Sequence, residues 1–143
     1  MIRARRRLAL CAQSGHHALL MGVQDLMIRD AVESDANAMG QLHVRAWQRA
    51  YRGVMPDEYL DSLQAQDRIA MWRDRISRYD LPSLLVAVVA DEVVGFAAFG
   101  AEQAPTTTPS CGELYAMNLD PDHWGRGIGR VLLRRVTEAL VAM

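Results

Sequence analysis

Apolar and polar positions follow two different periods along this chain, and the switch between them divides it. Met27-Ile28-Arg29-Asp30-Ala31-Val32 alternates, the signature of a half-buried strand. Glu33-Ser34-Asp35 then supplies a helix start, with Ser34 or Asp35 as N-cap. Ala38, Met39, Leu42, Ala46, Trp47, Ala50 and Tyr51 recur at three- and four-residue intervals. That is one face of a helix running to about Arg52 and ended by Gly53. Pro56-Asp57-Glu58 opens a second helical stretch, in which Leu60, Leu63, Ile69, Met71, Trp72 and Ile76 keep the period to about Arg78, with a break near Gln64.

The period then shortens. Leu84 to Ala90 is a near-continuous apolar run, Asp91-Glu92 reads as a two-residue turn, and Val93 to Phe99 is a second run, which together predict a β-hairpin. Gly100 to Gly112, with Pro105, Pro109 and three threonines, forms neither helix nor strand. Glu113 to Leu119 is a third central strand, with Leu114, Ala116 and Asn118 on one face and Tyr115, Met117 and Leu119 on the other; Asp120-Pro121-Asp122 closes it. A glycine-rich turn follows, and from Val131 helical spacing returns through Leu132, Leu133, Val136, Leu140 and Val141.

Composition adds exclusions. At 143 residues, 50% apolar and 23% charged, the chain makes one soluble domain and neither a repeat array nor a wholly disordered chain. A net charge of -1 gives no reason to expect nucleic acid or a membrane surface as partner. Every basic side chain is arginine, so lysine chemistry such as a Schiff base is absent. Arg3, Arg5, Arg6 and Arg7 precede the first acid, Asp25, and no periodicity precedes Met27. Residues 1 to 26 are therefore expected to be an extension, either disordered or a mis-assigned start, and 27 to 143 the domain. The apolar patch Leu8 to Ala12 is too short for a secretory signal or a spanning helix; an Arg-rich transit peptide is the alternative. Cys11 and Cys111 make no disulfide framework, so a reduced compartment, the cytoplasm, is expected. His16, His17, His43 and His123 lack metal-ligand spacing, and no metal site is expected.

The glycine turn carries the chemistry. A strand, closely spaced glycines and a helix expose several backbone N–H groups at the positive end of a helix dipole, which suits a phosphate or pyrophosphate. A dinucleotide fingerprint fails, because Arg130 or Leu132 stands where its last glycine belongs, and a Walker A loop fails for want of lysine. The segment Leu119 to Leu133, with Trp124-Gly125-Arg126-Gly127-Ile128-Gly129-Arg130 at its centre, resembles motif A of the GCN5-related N-acetyltransferase (GNAT) superfamily. The element order across residues 27 to 133 resembles the same family, and Ala46 to Gly53 is similar to the first-helix segment of many small bacterial members.

That resemblance implies an α/β layered fold, a mixed central β-sheet flanked by helices. It also implies a fifth strand, a helix and two closing strands that this sequence does not contain, so the chain is expected to be carboxyl-terminally truncated. It implies acetyl-CoA as co-substrate, its pyrophosphate on the amides of Gly125, Arg126, Gly127, Ile128, Gly129 and Arg130. Its pantetheine arm would lie on the backbone of Met117, Asn118 and Leu119. Trp124 stands in this cofactor site where the family has Gln or Arg, a departure that weakens the match.

Acyl transfer needs a neutral amine and donors for a tetrahedral oxyanion. Glu113 is the candidate base, against a solvated strand-end glutamate with water in its place. Tyr115 shares its face, with core packing as the other reading. Trp47 and Tyr51, at i and i+4, line an acceptor cleft or pack in the core. Arg134-Arg135 reads as a solvated helix face or as phosphate steering. The implied activity is acetyl transfer from acetyl-CoA to a primary amine of a small molecule or peptide through a ternary complex. The alternatives are a catalytically incomplete acyl-CoA-binding or interaction module, or a non-functional fragment. An exposed edge beside the third central strand predicts homo-oligomers. The acceptor amine is not legible.

Overall fold

The computed structural model describes residues 25–78, 83–102 and 111–143. Strand β1 (Met27–Asp30) leads through a single 3-10 turn, Glu33–Asp35, into helix α1 (Ala36–Ala50). Asp35 caps backwards rather than forwards: its carboxylate accepts from the Val32 N–H at 2.8 Å and from Arg29 of β1 at 2.7 and 2.9 Å. The turn is thus tied to the strand it leaves. Helices α2 (Asp57–Ser62) and α3 (Ala65–Ser77) are parted where Leu63 and Gln64 turn extended, the break expected near Gln64.

The hairpin of β2 (Ser83–Val89) and β3 (Glu92–Ala101) turns one residue earlier than the sequence suggests. Ala90 and Asp91 are the corner residues, at φ +47° and +65°, the left-handed pair that matches strand twist in a two-residue turn. Alanine gave no turn signal, which is why the corner looked displaced. Strand β4 (Gly112–Leu119) follows, then a 3-10 turn, Pro121–His123, and helix α4 (Ile128–Val141). α4 starts three residues before Val131, because Gly127 itself serves as N-cap and no side chain marks the boundary.

Among the described residues the four strands lie in sequence order and every neighbouring pair is antiparallel. The expected mixed sheet is corrected to this extent: a parallel pair needs a crossover that returns the chain in the same direction, and the helical crossover from β1 to β2 returns it reversed. Helices cover both faces. α1 and α3 bury Met39, Leu42, Ala46 and Trp72 against Val86, Val88, Phe96 and Ala98. On the opposite face Leu132 and Val136 of α4 pack on Ala97 and Phe99, and Ile128 on Ala87 and Val94. Phe96 and Ala98 thus serve one layer while Ala97 and Phe99 serve the other, the alternation of a strand buried on both sides. α1 and α3 cross at Gly40, where a Cβ would lie 2.5 Å from the Ile69 backbone nitrogen.

Strand β4 departs from simple alternation. Ala98 faces Ala116 but Phe99 faces Leu114, so Tyr115 is an extra residue in a β-bulge. Tyr115 and Ala116 both pack towards α1 and α3, whereas Leu114 and Leu119 pack towards α4. The expected faces are corrected accordingly: Leu114 leaves the face of Ala116, and Tyr115 parts from Leu119.

Of the expected amino-terminal extension, residues 1 to 24 lie outside the described residues, while Leu26 packs on the cluster of Ala87, Val94 and Ile128. Among the described residues no helix is long and apolar enough to cross a membrane.

Candidate functional site

The glycine turn sits where β4 leaves the sheet. Gly125 and Gly127 adopt φ +75° and +81°, which glycine reaches without the clash a β-carbon brings. The first backbone bond of α4 runs from the Val131 N–H to the Gly127 carbonyl at 3.2 Å. Among the described residues, the amides of Gly125, Arg126, Gly127, Ile128, Gly129 and Arg130 donate to no backbone carbonyl. Six adjacent N–H groups are thus presented at one helix N-terminus, with no acid in its first turn and with the exposed Arg126 and Arg130 beside them. The arrangement suits a dianion such as a pyrophosphate.

Leu119 fixes the turn to the sheet. Its side chain lies between Gly95 of β3 and Gly129 of α4, and a Cβ on Gly129 would come within 2.9 Å of it. Glycine at both positions lets the first turn of α4 sit directly on the end of β4.

Strand β4 is an edge of the described sheet. The Asp120 N–H bonds inward to the Val94 carbonyl at 2.8 Å. By the alternation of an antiparallel ladder, Asn118 also turns its backbone inward, towards Phe96, whereas Met117 and Leu119 turn theirs out from the edge. The Leu119 carbonyl is taken by the Trp124 indole N–H at 3.0 Å, which anchors a ring that remains 41% exposed beside Gly125.

The remaining sequence-derived residues are dispersed. Glu113 is exposed at the far end of β4, six residues from Leu119, about 20 Å at the rise of a strand. It does not meet the turn; an extended ligand lying along β4 would have to connect the two. The Tyr115 hydroxyl donates to the Ala101 carbonyl and its ring packs on the core, so the tyrosine braces β3 against β4. Trp47 and Tyr51 stack edge to face with centroids 5.0 Å apart, Trp47 half-buried and Tyr51 exposed. His43 continues the stack inward, 5.3 Å from Trp47. Its Nδ1 accepts from the Trp72 indole N–H at 3.2 Å, and burial, with the charges of Arg68 and Arg75 beside it, pushes the imidazole down to about 4. His43 is therefore neutral near pH 7, with its proton on Nε2.

Two residues at the site escaped the sequence reading. Arg45 of α1 donates to the Asp120 carboxylate at 2.5 Å, and the other carboxylate oxygen accepts from the Asp122 N–H at 3.0 Å. Burial acts to raise Asp120, but the Arg45 bond, the Asp122 N–H and the nearby His123 outweigh it and hold the carboxyl below its usual range. Asp120 carried a weak signal, an acid before proline at a strand end. Arg45 carried none, since 75 positions separate it from its partner.

The fold is a two-sided layer of helices on an antiparallel sheet, with an edge strand running into a turn of closely spaced glycines, an arrangement that suits an extended anionic ligand. The chain belongs to the GNAT family: the family model described as "Acetyltransferase (GNAT) family" matches residues 32–143. It is 32% identical over 117 residues to the uncharacterized N-acetyltransferase YuaI of Bacillus subtilis strain 168, a match covering 80% of this chain and 64% of that protein. The chain thus spans somewhat less than two thirds of that relative. Among solved structures, the PaiA N-acetyltransferase of Thermoplasma acidophilum in complex with coenzyme A superposes with a TM-score of 0.67 at 19% identity, covering 83% of this chain and 74% of that one. The aminoglycoside N-acetyltransferase AAC(6')-Iy in complex with CoA superposes at 0.61 and 14% identity, covering 85% and 72%. At these identities the two structures speak for the fold.

Proposed function

We propose that the chain transfers an acetyl group from acetyl-CoA to a primary amine of a small molecule or peptide, in one step, within a ternary complex in the cytoplasm. The observation that carries this reading is the set of open amides from Gly125 to Arg130 at the end of an edge strand. The pyrophosphate of CoA occupies those amides, with Arg126 and Arg130 adding charge. The pantetheine arm extends along β4, its amide groups pairing with the outward backbone of Met117 and with the Leu119 N–H. Membership of the family and the CoA complexes of two structural neighbours support the donor; the aminoglycoside named for one neighbour supports an amine as acceptor.

The chain's own residues then have limited tasks. The amine must be neutral when it attacks the thioester carbonyl; its nitrogen forms the new bond to carbon, the carbon–sulfur bond breaks, and one proton leaves the nitrogen. Glu113 is the proposed acceptor of that proton, directly or through water, with water alone as the alternative. Trp47 and Tyr51 offer an aromatic wall for the acceptor on the α1 side. The test is CoA release from acetyl-CoA across a panel of amines, beside calorimetric binding of CoA. Amine-dependent release supports the proposal. Binding without release leaves an acyl-CoA-binding module, and no binding overturns both.

A further inference from the structure

Asp120 occupies the point at which the chain leaves the sheet for the glycine turn. Four bonds converge on it: its N–H holds the Val94 carbonyl at 2.8 Å, one carboxylate oxygen holds the Asp122 N–H at 3.0 Å, the other receives Arg45 at 2.5 Å, and the fourth is made by its carbonyl. The His123 N–H closes the same short turn on the Asp120 carbonyl at 2.9 Å. Two of these restraints come from the turn itself and one from β3. Only Arg45 reaches across from α1, the helix on the sheet face opposite α4. The Asp120 side chain is 13% exposed and that of Arg45 49%, so the carboxylate is withdrawn from water while its partner remains half solvated.

We propose that the Arg45–Asp120 pair is a positioning device that sets the glycine turn for its anion, which makes Arg45 a determinant of cofactor affinity although it holds no part of the turn. The inference rests on the reading of that turn as a CoA site. The physical basis is twofold. A buried carboxylate deprived of its cation has to find water or protonate, and either response moves the backbone that carries Asp122 and the residues after it. The open amides bind an anion well only while their N–H vectors converge, so a small rotation at Asp120 is felt at Gly125 and beyond. α1 also carries Trp47 and Tyr51, so the pair joins the candidate acceptor wall to the candidate donor turn.

A second account of the pair makes the opposite forecast for one variant. If Arg45 only neutralised a carboxylate lying near the anion, then Asp120→Asn would remove a like charge, release a cation and strengthen CoA binding. If the pair positions the turn, Asp120→Asn weakens binding, because the bond from Arg45 loses its charge partner while the shape is kept. Calorimetric titration of CoA into the full chain separates the two. Arg45→Met and Asp120→Asn should each weaken CoA about three- to tenfold, the scale of one charge-assisted hydrogen bond, and the double variant no further than the worse single. Arg45→Lys, which restores the charge without the planar fork, should recover part of the loss.

Leu84→Ala, which opens a cavity at the start of β2, on a strand that carries neither Arg45 nor the turn, should leave CoA affinity unchanged and so separates positioning from general loss of stability. Tighter binding by Asp120→Asn, affinities in the Arg45 and Asp120 variants all within about twofold of wild type, or an equal loss in Leu84→Ala would each overturn the proposal. Should Arg45→Met fail to fold, the near-isosteric Asp120→Asn decides. A wild-type chain that binds no CoA overturns the reading of the turn, and the role of Arg45 with it.

Discussion

At Gly127 the decisive quantity is a single carbon atom. Its φ of +81° means that valine there would strain the backbone, and its place among the open amides means that, on the proposed reading, the added side chain would crowd the anion. Gly127→Val should weaken CoA several-fold to a hundredfold, roughly 1 to 3 kcal/mol, in a protein that remains folded by circular dichroism. His43 poses a different single-residue question. Its imidazole is depressed to about 4 against an ordinary value of 6.5, so between those values the unfolded chain binds the proton that the native state refuses. Stability is therefore full above about pH 6.5 and falls as pH drops towards 4, by about 2 to 3 kcal/mol. Asp35 and Asp120 act lower down: both are held below the ordinary 3.8, so their contribution is present above that value and is lost as pH falls beneath it. Melting temperature followed from pH 7 to 4 should decline in the wild type and flatten in His43→Gln, which keeps an acceptor for Trp72 and cannot titrate.

The elements show which physical signals a sequence transmits. α1, the break at Gln64, the hairpin and the glycine turn were legible because each is written in local chemistry: periodicity, loss of periodicity, apolar runs and closely spaced glycines. The bulge at Tyr115 was not, since it is a property of two strands in register and β4 alone alternates without interruption. Nor was Arg45, whose meaning depends on a partner 75 positions away. The displaced hairpin corner has a local cause and a local remedy. Ala90 and Asp91 hold positive φ at an exposed turn where asparagine and glycine are at home. Ala90→Asn with Asp91→Gly should stabilise the domain by about 0.5 to 1 kcal/mol in chemical denaturation; a loss would mean that the corner contributes contacts beyond its backbone.

For the whole molecule the governing feature is that β4 is an edge of the described sheet. The backbone of Met117 and the Leu119 N–H face out from that edge and can be met by a ligand's amides or by the β4 edge of a second copy, and the two occupants exclude one another. Sedimentation at tens of micromolar should therefore show dimers or larger species that CoA shifts towards monomer. A dimer indifferent to CoA would place the contact elsewhere. The edge is not uniform along its length, and the reason lies in one bond. The Leu119 carbonyl is already occupied by the Trp124 indole, which closes the edge at the turn. The same bond has an optical consequence. Of the three tryptophans, Trp72 is buried and Trp47 half-buried, while Trp124 stands 41% exposed with its nitrogen fixed on the strand. Its emission is expected to be the reddest of the three, and it lies beside the amides a pyrophosphate would occupy, so the unlabelled protein carries its own fluorophore next to the candidate site. Quenching by acrylamide, selective for that solvated indole, reads occupancy of the turn without any chemistry taking place.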